Sequence, residues 1–131
     1  MIQEERKAVT RKSKELTFRF IEYINEGDSD KLAIMMSDGF MFTDIAGDVF
    51  IVESNAEKKK FWDDYFHSFP NYKIHVQLML SSGTDIAFIG KTTDSHVPRY
   101  IEINETLIWY VGIKEGKVSE WRIFSTEGYA F

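Results

Sequence analysis

The residue best suited to chemistry is an aspartate at the end of a short apolar segment. Asp44 follows Phe42-Thr43 and precedes Ile45. A carboxylate between apolar neighbours is partly desolvated, which raises its pKa and makes it a better base near neutral pH. Such a base could move a proton at a carbon next to a carbonyl group. The alternative is a structural role, because Ala46-Gly47 follows and aspartate is common in turns.

Three histidines offer a second kind of acid–base chemistry. His67 lies near the end of an expected helix, where a cation suits the helix dipole, and His75 alternates in phase with polar residues, so both are expected to be structural or exposed. His96 is the remaining candidate for the mouth of a binding site. No His-Glu-x-x-His or similar spacing occurs, so no metal site is expected.

Two charged residues fall within apolar strand-like segments near the C-terminus. Glu105 and Arg122 are expected to pair across the last two strands, because a charge inside a sheet is costly unless it is paired. The alternative is that they anchor a ligand.

Length and composition limit the class of protein. The chain has 131 residues, no cysteine and a net charge of −5, which fits one domain over residues 1–131 without disulfides. The acidic balance argues against nucleic-acid binding, which needs clustered Lys and Arg. A charged N-terminus and short apolar runs indicate a cytoplasmic protein that does not enter a membrane. No glycine-rich phosphate loop occurs, so no cofactor is expected.

Hydrophobic periodicity predicts the element order α-α-β-β-α-β-β-β-β. The helices are expected over residues 4–26, from a cap at Asp28, Ser29 or Asp30 to about residue 36, and from a Ser54/Glu57 capping box to about residue 68. The strands are expected over residues 40–44, 49–52, 72–81, 85–95, 101–113 and 117–127. Short turns between the last four strands predict an antiparallel meander.

The predicted strands carry apolar side chains on both faces. Residues 78–80 and 107–111 are apolar without a break, whereas a sheet with one wet face alternates. One face can pack against the helices, but no helix remains for the other. We therefore expect a homodimer joined through the sheet faces, in preference to a monomer with exposed aromatic residues.

Several short motifs, in this order, resemble the nuclear transport factor 2-like superfamily. Asn25-Glu26-Gly27-Asp28 and Ser37-Asp38-Gly39-Phe40 resemble its helix-to-strand transition, and Phe69-Pro70-Asn71 resembles its Phe-Pro-Asp junction. Thr93-Asp94-Ser95-His96 is similar to the Gly-Thr-His stretch of the SnoaL-like polyketide cyclase branch. Gly116-Lys117-Val118-Ser119-Glu120-Trp121 is similar to the Gly-Lys-Ile signature of its final hairpin.

This resemblance implies an α+β fold of the cystatin-like type. In it a cone-shaped, curved antiparallel sheet wraps around three helices and leaves a mostly apolar pocket for a small apolar ligand. The aromatic candidates for the lining are Phe20, Phe42, Phe61, Trp62, Tyr65 and Trp109, with His96 and Arg122 as polar candidates. The alternative for each aromatic residue is plain core packing.

The same resemblance implies roles for a few residues. Asp44 resembles the catalytic aspartate of the ketosteroid isomerase relatives. Those relatives stabilise an enolate with a tyrosine of the first helix and a protonated carboxylic acid on a central strand. Phe20 stands at the tyrosine position here, so Tyr23 and Glu105 become the candidate hydrogen-bond donors, and steroid isomerisation itself is disfavoured.

Two functions remain open on the sequence. The first is a cofactor-free isomerase, cyclase or dehydratase that moves a proton on an apolar, carbonyl-bearing substrate. The second is a non-catalytic, dimeric module of the same fold that binds a ligand or another protein. The fold alone does not decide between them, because one fold hosts many functions.

Overall fold

The computed structural model describes residues 2–125, which form four helices and six strands. The helices are α1 (Ile2–Glu26), α2 (Ser29–Met35), α3 (Asn55–Ser68) and α4 (Arg99–Asn104). The strands are β1 (Met36–Thr43), β2 (Val49–Val52), β3 (Lys73–Ser82), β4 (Asp85–Thr93), β5 (Leu107–Lys114) and β6 (Lys117–Ser125). The expected α+β class is confirmed, with a curved, unclosed sheet wrapped around helices.

The six strands form one sheet in the order β2-β1-β6-β5-β4-β3. Strands β3 to β6 make the predicted antiparallel meander. The prediction of a fully antiparallel sheet is wrong for one pair, because β1 and β6 run parallel, with Thr43 beside Arg122. The carboxyl ends of β1 and β6 therefore lie at the same edge of the sheet.

One face of the sheet and α1 bury the core. The inward side chains of β5 and β6 alternate along each strand and are at most 2% exposed: Leu107, Trp109, Val111, Trp121 and Ile123. Phe20 of α1 is fully buried, and its ring lies 5.0 Å from that of Trp121. The side chains that alternate along the strands therefore pack against the side chains spaced every 3.6 residues on α1, and together they form one apolar layer.

Local capping signals set the starts of two helices. Among the three expected caps of α2 the structure uses Asp28, whose side chain accepts the Lys31 N–H. Ser54 caps α3 by accepting the Glu57 N–H at 3.2 Å. The Glu57 carboxylate accepts a hydrogen bond from the Ser54 hydroxyl at 3.0 Å. The second bond of this capping box therefore joins the two side chains, where the usual box has the glutamate accept the backbone N–H of the cap residue.

The sequence prediction fails between β4 and β5. Residues 101–105 were expected to begin a strand, but Arg99–Asn104 form α4 and Glu105 is its C-cap. The Pro98 carbonyl accepts the N–H groups of Ile101 and Glu102, which starts the helix. The apolar–polar alternation of this stretch imitates a strand, yet only Ile101 is buried. The number of helices is therefore four and not three within residues 2–125.

Two further predictions concern the end of the chain and membrane-spanning helices. The predicted last strand included residues 126 and 127, which lie outside the described residues. No helix between residues 2 and 125 is long and apolar enough to cross a membrane.

Candidate functional site

An open cavity of about 300 Å³ lies at the edge of the sheet where β1 ends. Its walls come from β1, β2, α3 and the loop between β4 and α4. The apolar part of the lining is aromatic: Phe42, Phe50, Phe61 and Phe69. The polar part consists of Asp44, Asp64, Tyr65, Ser68 and His96. An apolar cavity with a few convergent polar groups is the usual form of a small-molecule site.

Asp44 is placed at the cavity by the turn that follows β1. Its N–H donates to the Asp48 carbonyl at 2.8 Å, and its carbonyl accepts the Gly47 N–H at 2.8 Å. The turn needs the positive φ of 90° that Gly47 adopts. The alternative of a role in the turn is therefore observed, and the carboxylate of Asp44 also lines the cavity.

Four polar side chains from separate parts of the sequence form a hydrogen-bonded chain, and three of them line the cavity. His96 Nε2 lies 2.5 Å from Asp44 Oδ1, and His96 Nδ1 lies 2.8 Å from the Tyr65 hydroxyl. The Tyr65 oxygen also accepts the His96 N–H at 3.3 Å. Tyr72, which is 4% exposed, hydrogen-bonds to the Tyr65 hydroxyl. We call Asp44, His96, Tyr65 and Tyr72 the polar chain.

The charge state of Asp44 differs from the expectation. Burial raises its pKa, but the hydrogen bond and charge of His96 and the hydrogen bond from the Ile45 N–H together lower it by more, so the pKa lies below the ordinary 3.8. The expected raised pKa is therefore wrong, because the sequence did not reveal the partner 52 residues away. Asp44 is a carboxylate at neutral pH, held by a histidine.

The ionised carboxylate determines the direction of the other hydrogen bonds. Asp44 can only accept, so Nε2 of His96 carries the proton between them. In a neutral imidazole Nδ1 is then an acceptor and the Tyr65 hydroxyl donates to it, whereas in the imidazolium Nδ1 donates to the Tyr65 oxygen. Burial raises the pKa of both Tyr65 and Tyr72 far above the ordinary 10, so both hydroxyls keep their protons.

The structure brings five of the predicted site residues to one cavity: Phe42, Asp44, Phe61, Tyr65 and His96. Three other aromatic candidates lie in the core. Phe20, Trp62 and Trp109 are each at most 2% exposed, and Trp109 stacks on Phe88 with the ring centroids 4.6 Å apart. For these three residues the alternative of core packing is the observed one.

Three polar candidates lie away from the cavity lining. Tyr23 packs at the core margin, with the Lys31 ammonium over its ring. Glu105, displaced from the expected strand into the cap of α4, accepts the Ser125 hydroxyl at 2.6 Å. Arg122 lies on the outer face of β6, 3.6 Å from Glu120, so the expected pair with Glu105 is wrong.

Sequence reasoning missed four lining residues and one buried partner. Phe69 continues the helical row of Phe61 and Tyr65, so its signal was present in the spacing. Phe50 belongs to an edge strand whose orientation no local pattern reveals. Asp64 and Ser68 are polar residues of α3, and a solvent-exposed helix face would carry the same residue types. No sequence pattern around Tyr72 indicated that it would contact Tyr65.

The described residues contain no group of three or more His, Asp or Glu side chains arranged to hold a metal ion. Asp64, the second carboxylate of the lining, is engaged by Lys60 at 2.6 Å on the exposed side of α3. The carboxylates, imidazole, phenol and hydroxyl of the lining can transfer protons and form hydrogen bonds.

A curved, unclosed sheet wrapped around helices is the fold of cystatin-fold and nuclear transport factor 2-like proteins. Within that class, residues 18–121 match the SnoaL-like domain, and the chain belongs to the SnoaL-like family. Among curated proteins, none matches the chain in sequence.

Solved structures resemble the fold over most of its length. A candidate ketosteroid isomerase from Kribbella flavida is 16% identical, with a TM-score of 0.68 over 93% of this chain and 83% of its own. A candidate SnoaL-like polyketide cyclase from Jannaschia sp. CCS1 is 16% identical, with a TM-score of 0.68 over 91% and 88%. Bal32a, from a soil-derived mobile gene cassette, is 13% identical, with a TM-score of 0.71 over 91% and 92%. At these identities the likeness establishes the fold.

Proposed function

We propose that this protein is a cofactor-independent enzyme of the isomerase or cyclase type. It moves a proton at a carbon next to a carbonyl group of a small, apolar substrate. The observation that carries the proposal is the polar chain, because an ionised carboxylate, an imidazole and a protonated phenol converge on a cavity that is otherwise lined by phenyl rings.

Asp44 is the base in this proposal. Its carboxylate can accept more bonds than those from His96 and the Ile45 N–H, and it stays ionised at neutral pH, so the basic form is populated there. The substrate C–H bond breaks, its proton goes to Asp44, and its electron pair moves onto the carbonyl oxygen as an enolate. The proton then returns to the same carbon or to another one. His96 fixes the carboxylate through Nε2.

Tyr65 is the hydrogen-bond donor for the enolate oxygen. Its raised pKa keeps the hydroxyl protonated, and turning the O–H bond from His96 Nδ1 towards the cavity requires no backbone movement. The Tyr65 oxygen keeps its acceptor bonds from Tyr72 and the His96 N–H meanwhile. A donor aimed at the developing charge in an apolar site is worth about 3–4 kcal/mol of barrier.

The test is deuterium exchange at the carbon next to a ketone in heavy water, followed by proton NMR. Tetralone, acetophenone and cyclohexenone suit a cavity of about 300 Å³. We expect exchange above the buffer rate with the wild-type protein and a loss of about 100-fold or more with Asp44→Asn. Asp64→Asn, which changes the other lining carboxylate, is the matched control and should keep the wild-type rate. Exchange at the buffer rate with all three ketones would overturn the proposal.

A ligand-binding module without catalysis is the second candidate. The lowered pKa of Asp44 favours it, since a weaker base makes a slower proton acceptor. This candidate predicts that the same ketones shift the His96 and Tyr65 NMR signals without any exchange.

We further propose that the protein is a homodimer. Across four strands the register aligns Leu78, Ile89, Ile108 and Phe124 on the face opposite the core. This outer apolar row has no covering element among residues 2–125, and Leu78 is 50% exposed. A second copy of the chain would bury the row on both subunits at once.

A further inference from the structure

His96, the centre of the polar chain, lies on a loop and not on a regular element. The loop joins the end of β4 at Thr93 to the start of α4 at Arg99. Asp94 within it has a φ of 53°, which is unusual for a residue other than glycine. Loops of this kind are mobile unless side chains hold them, and a mobile His96 could not keep bonds of 2.5 and 2.8 Å to two other elements.

One carboxylate holds this loop. Glu102 Oε2 accepts the Thr92 hydroxyl at 2.8 Å, the Ser95 hydroxyl at 2.5 Å and the Ser95 N–H at 3.1 Å. Thr92 is 1% exposed and lies inside the sheet, so it gives the carboxylate a rigid support. The Ser95 hydroxyl oxygen also accepts the Val97 N–H at 3.1 Å. The residues on both sides of His96 are therefore tied to the same point.

We propose that Glu102 is the positioning residue for His96. By accepting three hydrogen bonds from Thr92 and Ser95, it fixes the loop that holds the imidazole between Asp44 and Tyr65. Glu102 is not a lining residue of the cavity that holds Asp44, so its hydrogen bonds act on that cavity through the loop, and its charge in addition raises the pKa of Tyr65. The effect of Glu102 on catalysis rests on the proposed function, whereas its effect on the position of the His96 imidazole does not.

Contacts other than those of Glu102 also hold α4 in place, so the position of the loop can be tested separately from the folding of the helix. Ile101 is 8% exposed and packs in the core, and the Pro98 carbonyl accepts two N–H groups of the first turn. Glu105, at the other end of α4, holds Ser125 and touches neither Thr92 nor Ser95. Loss of the Glu102 carboxylate should therefore leave α4 in place and release the loop.

The experiment compares Glu102→Ala and Glu102→Gln with the control Glu105→Gln. Nitrogen and proton NMR of the imidazoles reports the tautomer of His96, with His67 and His75 as internal references. In the wild type we expect one tautomer, with the proton on Nε2. In Glu102→Ala we expect averaging between tautomers, and in Glu102→Gln a smaller change, because the amide oxygen still accepts. In Glu105→Gln the His96 signals should stay as in the wild type.

Activity gives a second readout once ketone exchange has been detected. We expect Glu102→Ala to lower kcat about 10- to 100-fold with little change in KM, since misplacing a catalytic group by about 1 Å can cost about 100-fold. Should Glu102→Ala fail to fold, Thr92→Val removes one of the three bonds and tests the same point by NMR. Unchanged His96 signals in a folded Glu102→Ala protein, or an equal change in Glu105→Gln, would overturn the proposal. A wild type without exchange would refute the proposed function only, because the NMR comparison stands without it.

Discussion

At the scale of single residues, the Asp44–His96 contact links the proposed activity to stability. The two side chains are about one-fifth exposed, come from separate elements and lie 2.5 Å apart. The hydrogen bond favours the ionised form of Asp44 in the folded protein. A lowered pKa in the folded state means that ionisation stabilises the fold, so the pair should make the free energy of unfolding depend on pH.

The sign of that dependence follows from the direction of the pKa shift. The stabilisation is complete above the unfolded-state pKa of Asp44, near 3.8, and is lost as the pH falls through the lower folded-state pKa. We therefore expect the difference in unfolding free energy between wild type and Asp44→Asn to be constant near neutral pH and to shrink in acid. Urea unfolding from about pH 6 to pH 2.5 measures it. A difference that grows in acid would contradict the assigned shift.

Phe20 provides a second prediction at this scale. It stands where the resemblance to isomerase relatives places a tyrosine, but its side chain is fully buried between Trp62 and Trp121. A hydroxyl added there would be buried among apolar rings, at a cost of about 1–3 kcal/mol. We expect Phe20→Tyr to lower the thermal midpoint without a gain in ketone exchange. A more active variant of unchanged stability would show that the ring reaches the cavity.

At the scale of elements, close backbone contact between strands constrains β4. Gly90 lies beside the irregularity in β3 that shifts the register between Val76 and Leu78. A Cβ atom at Gly90 would lie 2.3 Å from the His75 carbonyl oxygen, which belongs to the backbone and cannot turn away. Glycine at this position is therefore required by the approach of the neighbouring strand.

We expect Gly90→Ala to destabilise the protein by roughly 1–3 kcal/mol, the usual cost of overpacking. Gly112→Ala is the matched control on β5, because its nearest contact would be Glu120 Cβ at 3.3 Å, a distance that requires much less adjustment than 2.3 Å. Equilibrium unfolding of both variants in urea should give the larger loss for Gly90→Ala. Equal losses would mean that strand propensity, and not the close contact, sets the cost.

At the scale of the whole molecule, the outer apolar row predicts self-association. Ile108 lies at the centre of the sheet in this row, so Ile108→Glu would place a charge in the middle of the proposed interface. We expect sedimentation equilibrium to give twice the chain mass for the wild type, and a dissociation constant at least tenfold weaker for Ile108→Glu. Ile34→Glu, at a 71% exposed position of α2, should associate as the wild type does. A monomeric wild type at high concentration would refute the dimer.

The sequence by itself determined most of the local elements, with α4 as the exception. Helix α3 begins after its cap Ser54 and ends before Pro70 because capping and proline act within one turn, and the turn glycines separate the strands of the meander for the same reason. Short motifs in the right order also led to the correct superfamily and fold class. Asp44 and four of its cavity neighbours were among the candidates because the resemblance implied a mostly aromatic pocket with a carboxylate at the end of the first strand.

Only the tertiary structure decided which residues meet. The parallel pairing of β1 with β6, the burial of Phe20 and Trp109, and the contact of Asp44 with His96 all join residues distant in sequence. Helix α4 forms where alternation predicts a strand, because Glu102 and Ile101 find partners on β4 and in the core. Local propensities amount to tenths of a kcal/mol per residue, and long-range burial and hydrogen bonds exceed them.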